Sequence, residues 1–200
     1  MPSPPREEQH HILESLSRPV NIPSPTPKGA NAKGADFELF VSKAITEAFG
    51  RTDNNKFSPR SPRSGARATP EWKGDISLVG DAVKLFPFLI ECKNDDLWTL
   101  ESFLSRPQKS TLYGYWLKIK REASNTNFHP ALCFKRFGTP AFWMVERSVA
   151  DLVLPLSWKH PVRLTMDLKV EAEQLTMMYF QEWLPLWVTY QQEMVPRPTL

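Results

Sequence analysis

GDISLVGDAVKLFPFLIECK, residues 74–93, carries two strand signals and three charged side chains at telling positions. In Asp75–Val79, Ile76 and Leu78 share one face of an extended chain, while Asp75, Ser77 and Val79 share the other. Gly80-Asp81 signals a turn. In Phe86–Lys93, Phe88, Ile90 and Cys92 face one way; Leu89, Glu91 and Lys93 face the other. The apolar run Phe86–Ile90 reads as a central strand covered on both faces. Charges that end such a strand lie at the rim of a core, where a solvated ion pair is the poorer reading. If the two strands pair across the Gly80 turn, Asp75 comes beside Glu91. Adjacent carboxylates repel unless a cation lies between them. Hard oxygen ligands of this kind suit Mg²⁺ or Mn²⁺. The neighbouring Lys93 ammonium could stabilise charge on a phosphate or orient a water.

Upstream, GADFELFVSKAITEAFG places Phe37, Phe40, Val41, Ala44, Ile45 and Ala48 at helical spacing, with Gly50 set to end the helix. Glu38 lies at the edge of that apolar stripe, three and seven positions before Val41 and Ile45. Residues 51–73 read as a loop, basic and free of acids from Asn54 to Pro70. Its Arg60, Arg63 and Arg67, with Lys73 just beyond, could bind phosphate or simply be solvated. Downstream the spacing predicts short helices over Thr99–Leu104 and Gln108–Arg121. A strand pair follows at Ala131–Phe137 and Ala141–Val145, joined by Gly138-Thr139-Pro140. Helix, two or three strands, helix, strand, strand is a mixed α/β sandwich.

The ordered set resembles the PD-(D/E)XK nuclease superfamily. Gly74-Asp75, Glu91-Cys92-Lys93, the basic loop and the first-helix acid carry that resemblance. It implies a restriction-endonuclease-like αβββαβ core, a mixed central sheet flanked by helices, and metal-dependent hydrolysis of DNA phosphodiesters. By the same resemblance, Asp75 and Glu91 bind the metal, the backbone carbonyl of Cys92 adds a ligand, and Glu38 completes the site. Asp36 and Glu47 are the alternatives to Glu38 on that helix. Lys93 completes the catalytic set of Glu38, Asp75, Glu91 and Lys93. More narrowly, PRSGARATPEWKGDISL and HPALCFKRFG resemble the small phage and archaeal Holliday-junction-resolvase branch, in which Gln108 would match a glutamine on the helix after the catalytic strand. That branch implies a homodimer acting on branched DNA. Lys135 and Arg136 extend the expected DNA surface, which comprises Arg60, Arg63, Arg67, Lys73, Gln108 and Lys135. The chain departs from the family in two ways: Gly74 stands in place of the usual Pro, and the last fifty residues have no counterpart in it.

Three segments are expected. Residues 1–30, rich in Pro and Ser, form a flexible arm; residues 31–150 form the nuclease core; residues 151–200 form an extension of strand and helix. In that extension Pro161–Met166 suggests a strand. Glu173–Glu193 reads as largely helical, interrupted at Pro185, with aromatic residues that pack inward or form a dimer interface. A net charge of +3 does not by itself imply nucleic acid. Cys92 and Cys133 are not spaced as a zinc site, and the four histidines (His10, His11, His129 and His160) are scattered. No apolar run approaches the roughly 20 residues needed to cross a bilayer. Without a secretion signal either, the expected location is the cytoplasm, bacterial or that of a phage's host. A DNA-binding module without catalysis, and a nuclease for linear or flapped DNA, are the competing readings.

Overall fold

The structure, a computed structural model, describes residues 30–61, 74–170 and 173–194. The expected arm thus lies almost wholly outside the described residues, as do Arg63, Arg67 and Lys73. The first helix, α1, spans Ala30–Ala48. A short helix α2 (Ala82–Leu85) leads into strand β1 (Phe88–Asn94). Helices α3 (Leu100–Ser105) and α4 (Thr111–Ala123) follow, then strands β2 (His129–Lys135) and β3 (Phe142–Glu146). The chain continues through α5 (Arg147–Val153), β4 (Thr165–Val170), β5 (Glu173–Tyr179) and α6 (Phe180–Glu193). The five strands form one mixed sheet in the order β1-β2-β3-β5-β4, with β1 and β2 parallel and every other pair antiparallel. With helices on both faces, this is the restriction-endonuclease-like α/β arrangement the motif implies.

Strand alternation sorts the core into two layers. Phe88, Ile90 and Cys92 of β1 meet Phe37, Val41 and Ile45 of α1 and the aromatic side of α6. Leu89 faces the opposite layer, with Leu112, Tyr113, Trp116 and Ile119 of α4. The apolar stripe on α4 starts cleanly because the Ser110 hydroxyl accepts from the Tyr113 N–H at 3.1 Å. The helix expected from Gln108 therefore begins at Thr111, and Gln108 lies in a preceding 3₁₀ turn, Pro107–Lys109.

The expected strand Asp75–Val79 is instead an irregular segment with isolated bridges, Ile76 to Ile90 on one side and to Arg60 on the other. Its neighbours explain the truncation. Continuing the antiparallel register would set Leu78 against Phe88, but the Phe88 N–H already donates to Phe86 O at 2.7 Å. Val79 would then meet Pro87, which has no N–H. Toward the other end, the Cys92 N–H donates to the Asp75 carboxylate instead of to backbone. Ser77 and Val79 donate outward to Pro59 O and Phe57 O. β1 is covered on both faces, as expected, yet it is the outermost of the five strands, its free edge closed by this segment.

The far end of the chain also differs. The strand expected at Pro161–Met166 runs Thr165–Val170. Within Glu173–Glu193 the first seven residues form β5, not helix. Leu, Gln and Met favour helix in isolation, but this segment is paired on both edges and buried from Leu175 to Met178. No alternation survives to mark it as a strand. α6 then runs through Pro185 without interruption. Its Trp183 and Trp187 are buried against Phe88, with Phe88 and Trp187 ring centroids 4.6 Å apart, and the Trp187 indole donates to Leu85 O at 2.8 Å. These rings cover the reverse side of the strand that carries Glu91.

Candidate active site

β1 carries Glu91 and Lys93 on the face turned toward α4, as the alternation requires. Asp75 reaches the same place from the edge. Its backbone N–H donates to Ile90 O at 2.7 Å, and its Oδ2 accepts from the Cys92 N–H at 2.8 Å. That approach depends on Gly74, whose φ is +75° and whose missing Cβ would lie 2.7 Å from Ile90 O. A proline, with φ held near −65°, could not occupy this position. The glycine variant of the motif is thus a geometric requirement of this chain.

Three oxygens converge on one ammonium. Lys93 Nζ contacts Glu91 Oε1, lies 3.2 Å from Cys92 O, and stands 3.8 Å from Asp75 Oδ2. Glu91 is 1% exposed and Asp75 7% exposed, so their charges are poorly solvated. Burial, then the neighbouring Glu91 charge, pushes the Asp75 carboxyl up to about 6, against the opposing pull of Lys93. Burial alone would lower Lys93, but Glu91 and Asp75 outweigh it and raise the ammonium above its ordinary value. Lys93 is therefore held as a cation and hydrogen-bond donor beside these acids. The Tyr115 ring lies 5.4 Å from Lys93 Nζ, and its hydroxyl donates to Asp95 Oδ2 at 2.9 Å. Burial, then that bond to Asp95, pushes the phenol up to about 12. The Cys92 and Cys133 thiols are buried and pushed up by that burial, so they are packing groups and not thiolate ligands.

Among the described residues, no three His, Cys, Asp or Glu side chains cluster as a metal cage. The oxygen set is the Asp75–Glu91 pair with the Cys92 carbonyl, already gathered around a positive point. Two carboxylates and a carbonyl suit a hard cation that completes its shell with water. Glu38 is buried within the field of Asp75, whereas Asp36 and Glu47 are exposed, which favours Glu38 of the three acids. Its Oε2, however, accepts from Arg60 Nε at 2.9 Å and pairs with Nη2 at 2.7 Å.

The remaining expected residues divide. The Arg60 guanidinium is committed to Glu38, an internal partner that the loop's composition does not reveal. Lys135 lies on the other face of the sheet, its Nζ 5.7 Å from the Phe37 ring, because it shares the alternation of Ala131 and Cys133 and not that of Glu91. Burial lowers its pKa. Arg136 stands 3.6 Å from Asp96 and over the Trp98 ring. Gln108 is exposed. His129 and His160 are engaged elsewhere, His129 against Phe88 and His160 with Thr189.

Sequence reading missed Lys118. From α4 its Nζ reaches Glu91 Oε1 at 2.7 Å. The only signal was helical spacing, which puts Tyr115, Lys118 and Glu122 beside the apolar stripe. Nothing in the sequence separates Lys118 from Lys120, which pairs with Glu173 and Glu146 instead.

Searches of curated proteins and of solved structures found no match to this chain. A family model described as "phage putative PDDEXK endonuclease" matches residues 29–194, a span that includes β4, β5 and α6 as well as the acidic centre. Nucleases of that superfamily generally use divalent metals. The motif residues Asp75, Glu91 and Lys93, met in one cluster at the edge of a mixed sheet, and this match over most of the length agree: the chain belongs to the phage PDDEXK endonuclease family.

Proposed function

We propose that the protein is a Mg²⁺-dependent (or Mn²⁺-dependent) DNA endonuclease selective for branched structures, acting as a Holliday-junction resolvase. The observation that carries this reading is the convergence of Asp75, Glu91 and the Cys92 carbonyl on one positive point. Asp75, Glu91 and Cys92 O would hold the ion, with Glu38 contributing from the side through Oε1 or water. When bound, the metal would supply Lewis-acid stabilisation of phosphate charge and a more acidic water. The chain's own groups do the rest. Lys93, in contact with Glu91 and 3.8 Å from Asp75, offers its N–H bonds to a phosphate oxygen as negative charge grows there. Tyr115 and Asp95 brace that ammonium from the α4 side. The wall of Leu89 and α4 keeps Glu91 out of bulk water. The family resemblance implies 5′-phosphate products. Cutting two symmetric strands of a junction calls for a C2 homodimer. A binding module without catalysis is the poorer reading, since paired buried acids would repel a DNA backbone to no purpose.

The test is cleavage of four-way junctions, flapped DNA and linear duplex with and without Mg²⁺. Wild type is expected to cut the junction in preference, with a lag-free dependence on the metal. Asp75→Ala and Lys93→Ala are each expected to lose on the order of 10²–10³-fold, the scale of one electrostatic group at a reacting centre. Undiminished cleavage by either variant refutes the site. Equal cutting of all three DNAs refutes the junction selectivity and leaves a nuclease for linear or flapped substrates.

A further inference from the structure

Glu91 carries two ammoniums where the motif supplies one. Lys93 approaches Glu91 Oε1 from the same strand, and Lys118 approaches it from α4 at 2.7 Å. The two differ in freedom. The Lys93 side chain is 25% exposed and tied to three oxygens, whereas that of Lys118 is 46% exposed and reaches the acid from the solvent side. Lys118 also has a second anchor, Glu122 Oε1 at 3.8 Å, one helical turn on. A flexible four-carbon stem with a compact charge can move between such partners at little cost.

Charge balance shows what that freedom would serve. Asp75 and Glu91 contribute two negative charges, and Lys93 and Lys118 two positive ones, so the centre is neutral. A divalent cation beside the same acids makes Lys118 redundant there and repels it. A DNA phosphate at the site offers it a new partner. We propose that Lys118 is an exchangeable counter-ion: it neutralises Glu91 until a divalent cation takes over, and its ammonium then turns to a phosphate flanking the scissile bond. This rests on the metal-dependent nuclease reading above. It adds a DNA-contacting residue outside the motif and couples metal binding to substrate binding at one side chain. The coupling is reciprocal by thermodynamic necessity: DNA that draws Lys118 away tightens the metal.

The experiment uses the full chain, with Ca²⁺ alone as the metal probe in titration calorimetry. A four-way junction in Ca²⁺, measured across a salt series, is the DNA probe. Removing the one unit charge that competes with a divalent ion for Glu91 is worth on the order of tenfold in affinity. Lys118→Gln is therefore expected to bind Ca²⁺ about tenfold more tightly than wild type. Its junction affinity is expected to depend less steeply on salt, with the logarithmic slope smaller by about one phosphate contact. Lys118→Arg, which keeps the charge, is expected to match wild type in both. Lys120→Gln makes the same change of net charge on the same helix and is expected to leave Ca²⁺ affinity unchanged, because Lys120 faces Glu146 and Glu173. Unchanged or weakened Ca²⁺ binding by Lys118→Gln overturns the proposal, as does an unchanged salt slope. If wild type binds no Ca²⁺ at all, the nuclease reading falls with it; if wild type binds Ca²⁺ and Lys118→Gln matches it, only the exchange falls.

Discussion

Placing at position 74 the proline that the family motif usually carries before its aspartate is expected to destroy the candidate active site. Gly74 has φ +75°, and a Cβ built there lies 2.7 Å from Ile90 O, 3.2 Å from Ile90 N and 3.3 Å from Leu89 Cδ1. Two of those neighbours are backbone of β1, which is fixed by pairing with β2. Gly74→Ala incurs about 1–2 kcal/mol for an L-residue in the left-handed region. It also strains the Asp75 N–H bond to Ile90 O, worth about 1 kcal/mol. Forcing the backbones apart adds about 1 kcal/mol or more. The sum is about 3–4 kcal/mol, or roughly 6–15 °C in Tm for a domain of this size. Gly74→Pro cannot adopt the native φ at all and should cost more. The same displacement moves Asp75 relative to Glu91, and misplacement by about 1 Å can cost about 10²-fold in rate. Urea melts of both variants, and DNA cleavage by them under the conditions proposed above, measure the two effects. A Gly74→Pro protein that melts within about 1 °C of wild type and cleaves at the wild-type rate would show that the close approach of residue 74 to β1 is not what places Asp75.

Two further outcomes follow from the buried acids. The Asp75 carboxyl is pushed up to about 6 in the folded chain, against about 3.9 when unfolded. The native state therefore binds the proton more tightly. Stability from this group is present at low pH and falls as pH rises from about 4 through about 6. With chelator present, Asp75→Asn should gain up to about 3 kcal/mol at pH 7.5 but only about 1 kcal/mol at pH 4.5; equal effects at the two pH values would contradict the burial argument. Arg60 holds a nearly buried Glu38, so Arg60→Gln strands that acid. Discounting for the partial exposure of Arg60, the expected loss is about 1–3 kcal/mol. Arg60→Lys should recover only part of it, because a lysine cannot donate from two nitrogens to one oxygen. Full recovery by lysine in a urea melt would mean that charge alone, and not the guanidinium fork, positions Glu38.

Much of the site was legible because local geometry dictates it. The two-residue alternation of β1 fixes Glu91 and Lys93 on one face and Cys92 on the other, wherever the strand packs. The 3.6-residue period of α1 puts Glu38 at the margin of its apolar stripe in the same way. What the sequence could not disclose depended on contacts between distant segments. β5 looked helical because its partners on both edges and both faces lie elsewhere in the chain, and burial on all sides erases periodicity. Asp75–Val79 looked like a regular strand because the claims on its neighbours' N–H groups, by Phe86 O and by the Asp75 carboxylate, arise only on folding. Arg60 turned inward to Glu38, Lys135 fell on the far face, and Lys118 rather than Lys120 reached Glu91. A lysine's sequence position sets its place on a helix, but only packing decides which buried charge its flexible stem must neutralise.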